Sequence, residues 1–168
     1  MLTFEPVQTQ DQIDTVVAIA NEIWPATYAP LTPPGQVEYM LDKFQSDHAI
    51  KDQMARQNYK YYLALFDSVP GGFVGFAPRY EGKNEMFLSK LYILPEYRGT
   101  GAARALVDLV TDHARKEDLP IIRLTVNKGN THAVEVYRAL GFKISELAVT
   151  DIGGGYVMDD YIMTKDVK

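Results

Sequence analysis

The apolar residues in the first third of the chain recur every three or four positions, which is the spacing of helices that bury one face. Behind polar starters, this pattern predicts a first helix in "TQDQIDTVVAIANEIW" that ends before Pro25. A second helix is predicted after "LTPPG", with an apolar face formed by Val37, Met40, Leu41 and Phe44. The intervening "WPATYAPLTPP", rich in proline and aromatic residues, is predicted to be an ordered loop.

From about residue 59 the pattern changes to runs that are typical of strands. "YKYYLALF" and "GGFVGFAPRY", separated by "DSVPGG", predict a hairpin. A third strand follows in "EMFLSKLYIL", whose later part is apolar enough for burial on both faces. A helix in "GTGAARALVDLVTDHARKED", a strand in "IIRLTV" and a helix in "NTHAVEVYRALG" come next, and Gly141 suits the end of the last helix. "FKISELAVT" and "GYVMDDYIMTK" are predicted to form the final two strands around "DIGGG".

This order of elements predicts an α/β (α+β) fold with helices packed on a mixed sheet. Most neighbouring strands should be antiparallel, and one parallel step should cross the "GTGAARALV" helix. At 168 residues, with no repeat or low-complexity tract, the chain is expected to form a single domain over residues 1–168.

Composition excludes several classes of function. The chain has no cysteine, and its three histidines are scattered, so neither a thiolate site nor another metal site is expected. A net charge of -5 argues against nucleic-acid binding. No secretory signal is evident at the start, and no apolar run is long enough to span a membrane, so a cytoplasmic protein without membrane contact is expected.

The loop from Arg98 to Ala103 has the features of an anion site. It leaves a predicted strand and enters a helix, where unpaired amides and the helix dipole favour a diphosphate. Gly99 and Gly101 would let the backbone approach phosphate oxygens, and Arg98 could add charge. A P-loop would need G-K-[ST], and a Rossmann fingerprint would need a third glycine where Arg104 stands.

A second pattern lies after "IIRLTV". Asn130, Ala133 and Tyr137 are spaced to share one face of a helix, and Gly141 and Phe142 follow. Together, R-x-x-G-x-A at the loop and N-x-x-A-x-x-x-Y before G-F resemble the two signatures of the GCN5-related N-acetyltransferases (GNAT). The resemblance spans essentially the whole chain and is most specific from Leu88 to Phe142.

The resemblance implies two splayed parallel strands, "LSKLYIL" and "IIRLTV", with acetyl-CoA in the wedge between them. Pantetheine amides would pair with the strand near Leu91 and Ile93, Asn130 would hydrogen-bond the pantetheine arm, and Tyr137 would protonate the departing thiolate. The full set of implied cofactor contacts is Leu91, Tyr92, Ile93, Arg98, Gly99, Thr100, Gly101, Ala102, Ala103, Arg104, Asn130, Ala133 and Tyr137.

The acceptor site is less clearly marked. Many members of the family carry a glutamate on the first splayed strand as the base, where this chain has Ser89. A water chain to another carboxylate is therefore expected, with Glu22, beside Trp24 and Tyr28, and Asp159 or Asp160 as candidates. "IWPATY" and "GGGYVMDDYIM" loosely resemble a subgroup related to polyamine and diamine acetyltransferases.

The sequence thus predicts an N-acetyltransferase that acts on a primary amine, either of a polyamine-like small molecule or of a peptide. The alternative is a noncatalytic acyl-CoA-binding module that kept the fold after losing its base, for which Ser89 gives a reason. The resemblance also implies a homodimer as a candidate assembly, with the final strand as the meeting edge.

Overall fold

A computed structural model describes residues 1–168 and shows one seven-stranded sheet in the order β1-β2-β3-β4-β5-β7-β6. Its strands are β1 Leu2–Pro6, β2 Lys60–Phe66, β3 Val69–Pro78, β4 Met86–Ile93, β5 Ile121–Asn127, β6 Lys143–Gly153 and β7 Tyr156–Asp166. The helices are α1 Gln10–Tyr28, α2 Gln36–Gln45, α3 Asp47–Arg56, α4 Ala102–Lys116 and α5 Thr131–Ala139.

The parallel pair at the centre of the sheet is very short. Strands β4 and β5 pair only at Met86 with Ile122 and at Phe87 with Arg123, whereas every other neighbouring pair is antiparallel. Beyond Phe87, β4 therefore has no partner strand on its β5 side. This geometry confirms the predicted mixed sheet with splayed central strands.

Helices cover the sheet in two groups, each with its own apolar core. On one side, α4 and α5 pack on the sheet through residues such as Leu106, Val110 and Val134. On the other side, α1 and α2 bury residues such as Val16 and Met40 with the aromatic residues of β2 and β3. The splayed strands lie between these two cores, so the opening between them reaches both helical layers.

The prediction that the first helix ends before Pro25 is wrong. Helix α1 continues to Tyr28 with Pro25 inside it. A proline within a helix costs about 3 kcal/mol, but Trp24 is buried in the core and the Tyr28 hydroxyl hydrogen-bonds that of Tyr92 on β4. Tertiary packing therefore outweighs the local penalty, and "WPATY" belongs to a helix instead of a loop.

Strand β1 and helix α3 were missed by the sequence analysis. Strand β1 is short and partly exposed, and it forms the edge of the sheet beside β2. Helix α3 buries only Ala49, Ile50 and Gln53, so its apolar periodicity is weak. The hairpin turn is also shorter than expected, because β3 begins at Val69 and leaves only Asp67 and Ser68, both with positive φ, in the turn.

Two further expectations need correction. The apolar end of β4 is not buried on both faces, since Leu91 and Tyr92 remain partly accessible where β5 turns away. The final strand is not an edge either, because β7 lies between β5 and β6. The edge strand at this end of the sheet is β6, on which Leu147 and Val149 are exposed.

None of the five helices combines the length and the apolar character that crossing a bilayer would require.

Candidate active site

A cleft of about 1370 Å³ opens where β4 and β5 part. Its walls come from β4, the loop after it, α4 and α5 on one side, and from α1, α2 and β7 on the other. All but two of the predicted site residues line this cleft. The two that do not are Thr100 and Asp159.

The loop before α4 presents a run of unused backbone donors. No protein group accepts a hydrogen bond from any main-chain amide between Gly99 and Arg104. Gly99 and Gly101 both have positive φ, and a Cβ built on either would point into open space. Consecutive free amides at a helix N-terminus form a site for an anion, and the small side chains of Ala102 and Ala103 leave room for it.

Arg98 and Thr100 differ in their relation to this run of amides. Arg98 lines the cleft and donates from Nε to the Ile93 carbonyl, 3.2 Å away, which leaves the other guanidinium nitrogens free for a ligand. The Thr100 side chain instead turns back to the Tyr97 carbonyl at 2.7 Å. Any contact of Thr100 with a cofactor would therefore come from its main chain.

Replacement of Gly101 by aspartate should weaken coenzyme A binding at least tenfold in calorimetry. The new side chain would enter the open space beside the free amides and place a negative charge against a diphosphate, in addition to the backbone strain of about 1–2 kcal/mol that any side chain brings at positive φ. Gly101→Ala carries the strain without the charge and serves as the control. Equal binding by Gly101→Asp and Gly101→Ala would contradict a phosphate site here.

The predicted face of α5 is present. Asn130 caps the helix, and its Oδ1 accepts from the Ala133 amide at 3.3 Å. The Asn130 side-chain NH₂ is thereby left as a donor toward the cleft, which suits a pantetheine carbonyl. Tyr137 lies further along the same face, edge-on to Phe142 with ring centroids 5.6 Å apart.

The Tyr137 hydroxyl is a protonated group without a partner that lines the cleft. It makes no hydrogen bond to the protein, although the residue is largely buried. Burial, with a smaller contribution from nearby Tyr28, raises the pKa of the phenol well above its usual range. Tyr137 is therefore protonated at neutral pH, and its hydroxyl is free to donate a hydrogen bond to a ligand.

Aromatic residues of α1 and β4 form one wall of the cleft. The hydroxyls of Tyr28 and Tyr92 are 2.7 Å apart, and the Trp24 ring packs against both. Burial raises the pKa of Tyr28 to about 12, and the charge of Asp160 adds to the shift. The Trp24 indole N–H is buried without a partner in the protein.

The two neighbouring aspartates on β7 lie on opposite faces of the strand. Asp159 is exposed and pairs with Lys128 at 2.7 Å, outside the cleft. Asp160 is only 4% exposed, lines the cleft, and accepts no hydrogen bond from the protein. Burial raises the pKa of its carboxyl to about 6, and the charge of Asp159 adds to this shift. Glu22 also lines the cleft but is solvent-exposed.

Ser89 and Lys90 form a polar group on β4 that sequence reasoning identified only in part. The register between β3 and β4 shifts here, and the Lys90 ammonium lies 5.2 Å from the centre of the Phe44 ring on α2. Ser89 Oγ accepts from the Tyr59 hydroxyl at 2.8 Å and from Lys90 Nζ at 3.0 Å. Lys90 and Tyr59 were missed, because the alternation of a regular strand would place Lys90 on the face opposite to Ser89.

Comparison with known proteins agrees with this geometry. Residues 16–142 match the acetyltransferase (GNAT) family. An uncharacterized N-acetyltransferase of Mycobacterium bovis is 30% identical over 155 residues, which cover 92% of this chain and 97% of that protein. A spermidine N(1)-acetyltransferase of Thermoplasma acidophilum is 23% identical over 150 residues, with 89% and 91% covered.

Solved structures show the same fold. The crystal structure of the PaiA N-acetyltransferase from Thermoplasma acidophilum in complex with coenzyme A superposes with a TM-score of 0.79 at 22% identity, and the match covers 99% of each chain. With the family match over residues 16–142 and the splayed strands, these likenesses lead to one conclusion: the chain belongs to the GNAT family of acetyl-CoA-dependent N-acetyltransferases.

Proposed function

We propose that this protein transfers the acetyl group of acetyl-CoA to a primary amine by direct attack, with both substrates bound together and no covalent enzyme intermediate. The main support is that one cleft contains both halves of the required machinery. It has free amides and Asn130 for the cofactor, and a buried carboxylate among aromatic rings for an amine.

The cofactor half is built from the backbone more than from side chains. The amides from Gly99 to Arg104, together with Arg98, would hold the diphosphate, and the unpaired edge of β4 near Leu91 and Ile93 would receive the pantetheine arm. Because these groups are fixed before binding, they would position the thioester at little reorganisation cost. Acetyl-CoA supplies the acyl group already activated as a thioester.

Three proton movements accompany the transfer. An amine with a pKa of about 10.4 is mostly protonated at neutral pH, so it must lose a proton before its nitrogen can form the new C–N bond. We propose that Asp160 accepts that proton, directly or through water. Its raised pKa makes the carboxylate a stronger base and reduces the difference between its pKa and that of the ammonium. As the C–S bond breaks, Tyr137 gives its phenolic proton to the sulfur. The acylated nitrogen gives up its second proton, which restores the phenol directly or through water.

Two classes of acceptor agree with the cleft. Its aromatic residues, Trp24, Tyr28 and Tyr92, together with Asp160, would attract the ammonium of a polyamine-like molecule through cation–π contact and charge pairing. The likeness to a spermidine acetyltransferase supports that class. A peptide amine is the second class, which the open cleft can admit.

Release of free thiol from acetyl-CoA tests the proposal. We expect release above the no-amine rate with at least one acceptor from a panel of spermidine, putrescine, free amino acids and a peptide with a free amino terminus. The matched control replaces each acceptor by its N-acetylated form, which has no amine to react. Tight binding of acetyl-CoA with no release for any acceptor would instead favour the noncatalytic module.

A further inference from the structure

Two opposite charges line the acceptor half of the cleft without neutralising each other. No carboxylate oxygen lies within 4.0 Å of Lys90 Nζ on β4. No lysine, arginine or histidine nitrogen lies within 4.0 Å of the Asp160 carboxylate. Buried charges in proteins are normally paired or hydrogen-bonded, since desolvation is costly. An unpaired ammonium and an unpaired carboxylate in one cleft therefore point to a ligand that pairs with both.

The surroundings of Lys90 leave it available to a ligand. Its only hydrogen bond is to Ser89 Oγ, and its Nζ lies 5.2 Å from the centre of the Phe44 ring. Burial alone lowers the pKa of the Lys90 ammonium to about 8, without an acidic neighbour to oppose the shift. A ligand with a negative charge would supply the missing counterion.

A second lysine strengthens the positive charge at this end. Lys43 on α2 lies over the same Phe44 ring, with its Nζ 6.0 Å from the ring centre, and it also lines the cleft. Its ammonium donates to the Ile152 carbonyl at 2.8 Å and meets no carboxylate. Two ammonium groups on one ring would repel the second cation of a polyamine and attract an acid.

We infer that the acceptor is a small zwitterion, a primary amine that also bears an acidic group, with its amine toward Asp160 and its acidic group against Lys90 and Lys43. This inference rests on the proposed transfer to a primary amine, adds the acceptor's charge pattern to it, and favours an acceptor with an acidic group over the polyamine-like class. The shared chemistry is an anion on a short amine, and a carboxylate or a phosphate would provide it.

Acceptors in matched pairs test the inference. We would measure kcat/KM for β-alanine against ethylamine, 6-aminohexanoate against pentylamine, L-lysine against cadaverine, and phosphoethanolamine against ethanolamine. Each member of a pair keeps the amine and differs by the acidic group. We expect kcat/KM to be at least tenfold higher for the acidic member of at least one pair. Whether that pair differs by a carboxylate or by a phosphate identifies the anion that the site binds. If no pair shows this preference for its acidic member, the inference is overturned, although transfer itself would still be established.

Variants at Lys90 assign the preference to the site. Lys90→Met should abolish the tenfold preference for the acidic member of that pair, whereas Lys90→Arg should retain most of the preference. Calorimetry with coenzyme A confirms that each variant is folded. If no acceptor reacts, the proposed transfer fails, and the anion site is tested by melting temperature: 6-aminohexanoate should stabilise the wild type but not Lys90→Met. Equal stabilisation of the two would overturn the inference.

Discussion

Tyr137→Phe should lower turnover at saturating substrates by about 100-fold or more, the usual contribution of a positioned general acid, while acetyl-CoA binding stays within about twofold. The variant removes only the hydroxyl, which has no partner in the protein, and keeps the ring packed against Phe142. Stopped-flow or steady-state thiol release would measure turnover, and calorimetry would measure binding.

Tyr62→Phe is the matched control for this variant. Tyr62 stacks on Phe76 with ring centroids 6.1 Å apart and lies outside the cleft, so its loss of a hydroxyl should leave turnover unchanged. If Tyr137→Phe retains wild-type turnover, Tyr137 is a core aromatic residue and another group, or water, protonates the thiolate.

Asp160→Asn should lower turnover at pH 7.5 by about 100-fold, within the range for loss of a general base, and should change the pH profile. In the wild type, the Asp160 carboxyl has a pKa of about 6 and accepts a proton only when ionised. The rate should therefore fall as pH drops through about 6. In Asp160→Asn this limb should be absent from the rate profile measured between pH 5 and 8.

The same substitution should make the folded protein more stable at pH 7.5. Because the carboxyl's folded pKa of about 6 lies above its ordinary value of 3.8, the folded state binds the proton more tightly and loses stability as pH rises through that window. The full shift corresponds to about 3 kcal/mol of destabilisation by the ionised carboxylate, at 1.36 kcal/mol per pKa unit. Burial of the asparagine amide in its place also costs free energy, so the gain is smaller than this. We expect a gain of about 2 kcal/mol in urea unfolding at pH 7.5 that shrinks toward pH 4.5.

Asp159→Asn provides the control at the neighbouring position. Asp159 is exposed and pairs with Lys128 outside the cleft, and surface pairs of this kind contribute about 0–1 kcal/mol. This variant should keep the turnover of the wild type at pH 7.5, and the acidic limb of its rate profile should remain but move to lower pH, because the charge of Asp159 helps to raise the Asp160 pKa. A loss of activity in Asp159→Asn with none in Asp160→Asn would reverse the assignment of the proton acceptor.

The local geometry of the proposed cofactor half could be predicted from sequence because its signals are short-range. A glycine with positive φ, free amides at a helix start and a shared helix face all follow from short-range spacing, as Gly101 and the Asn130–Tyr137 face show. The long helices were predictable from their apolar periodicity. The parallel pairing of β4 and β5 was predictable from the order strand, helix, strand along the chain.

The acceptor half depends on contacts that sequence spacing does not encode. The continuation of α1 past Pro25 results from packing between residues some 64 positions apart in the chain, Tyr28 and Tyr92. The choice between Asp159 and Asp160 depends on which face of β7 is buried. The role of Lys90 depends on a register shift in β4, which breaks the alternation on which a sequence prediction relies.

We propose that the free amides from Gly99 to Arg104 hold the diphosphate of coenzyme A between the splayed strands. A crystal structure of the complex with coenzyme A tests it most directly. We predict phosphate oxygens within about 3.2 Å of several of these amide nitrogens, the distance range of an N–H···O hydrogen bond. A diphosphate bound elsewhere, with these amides facing only water, would contradict the claim.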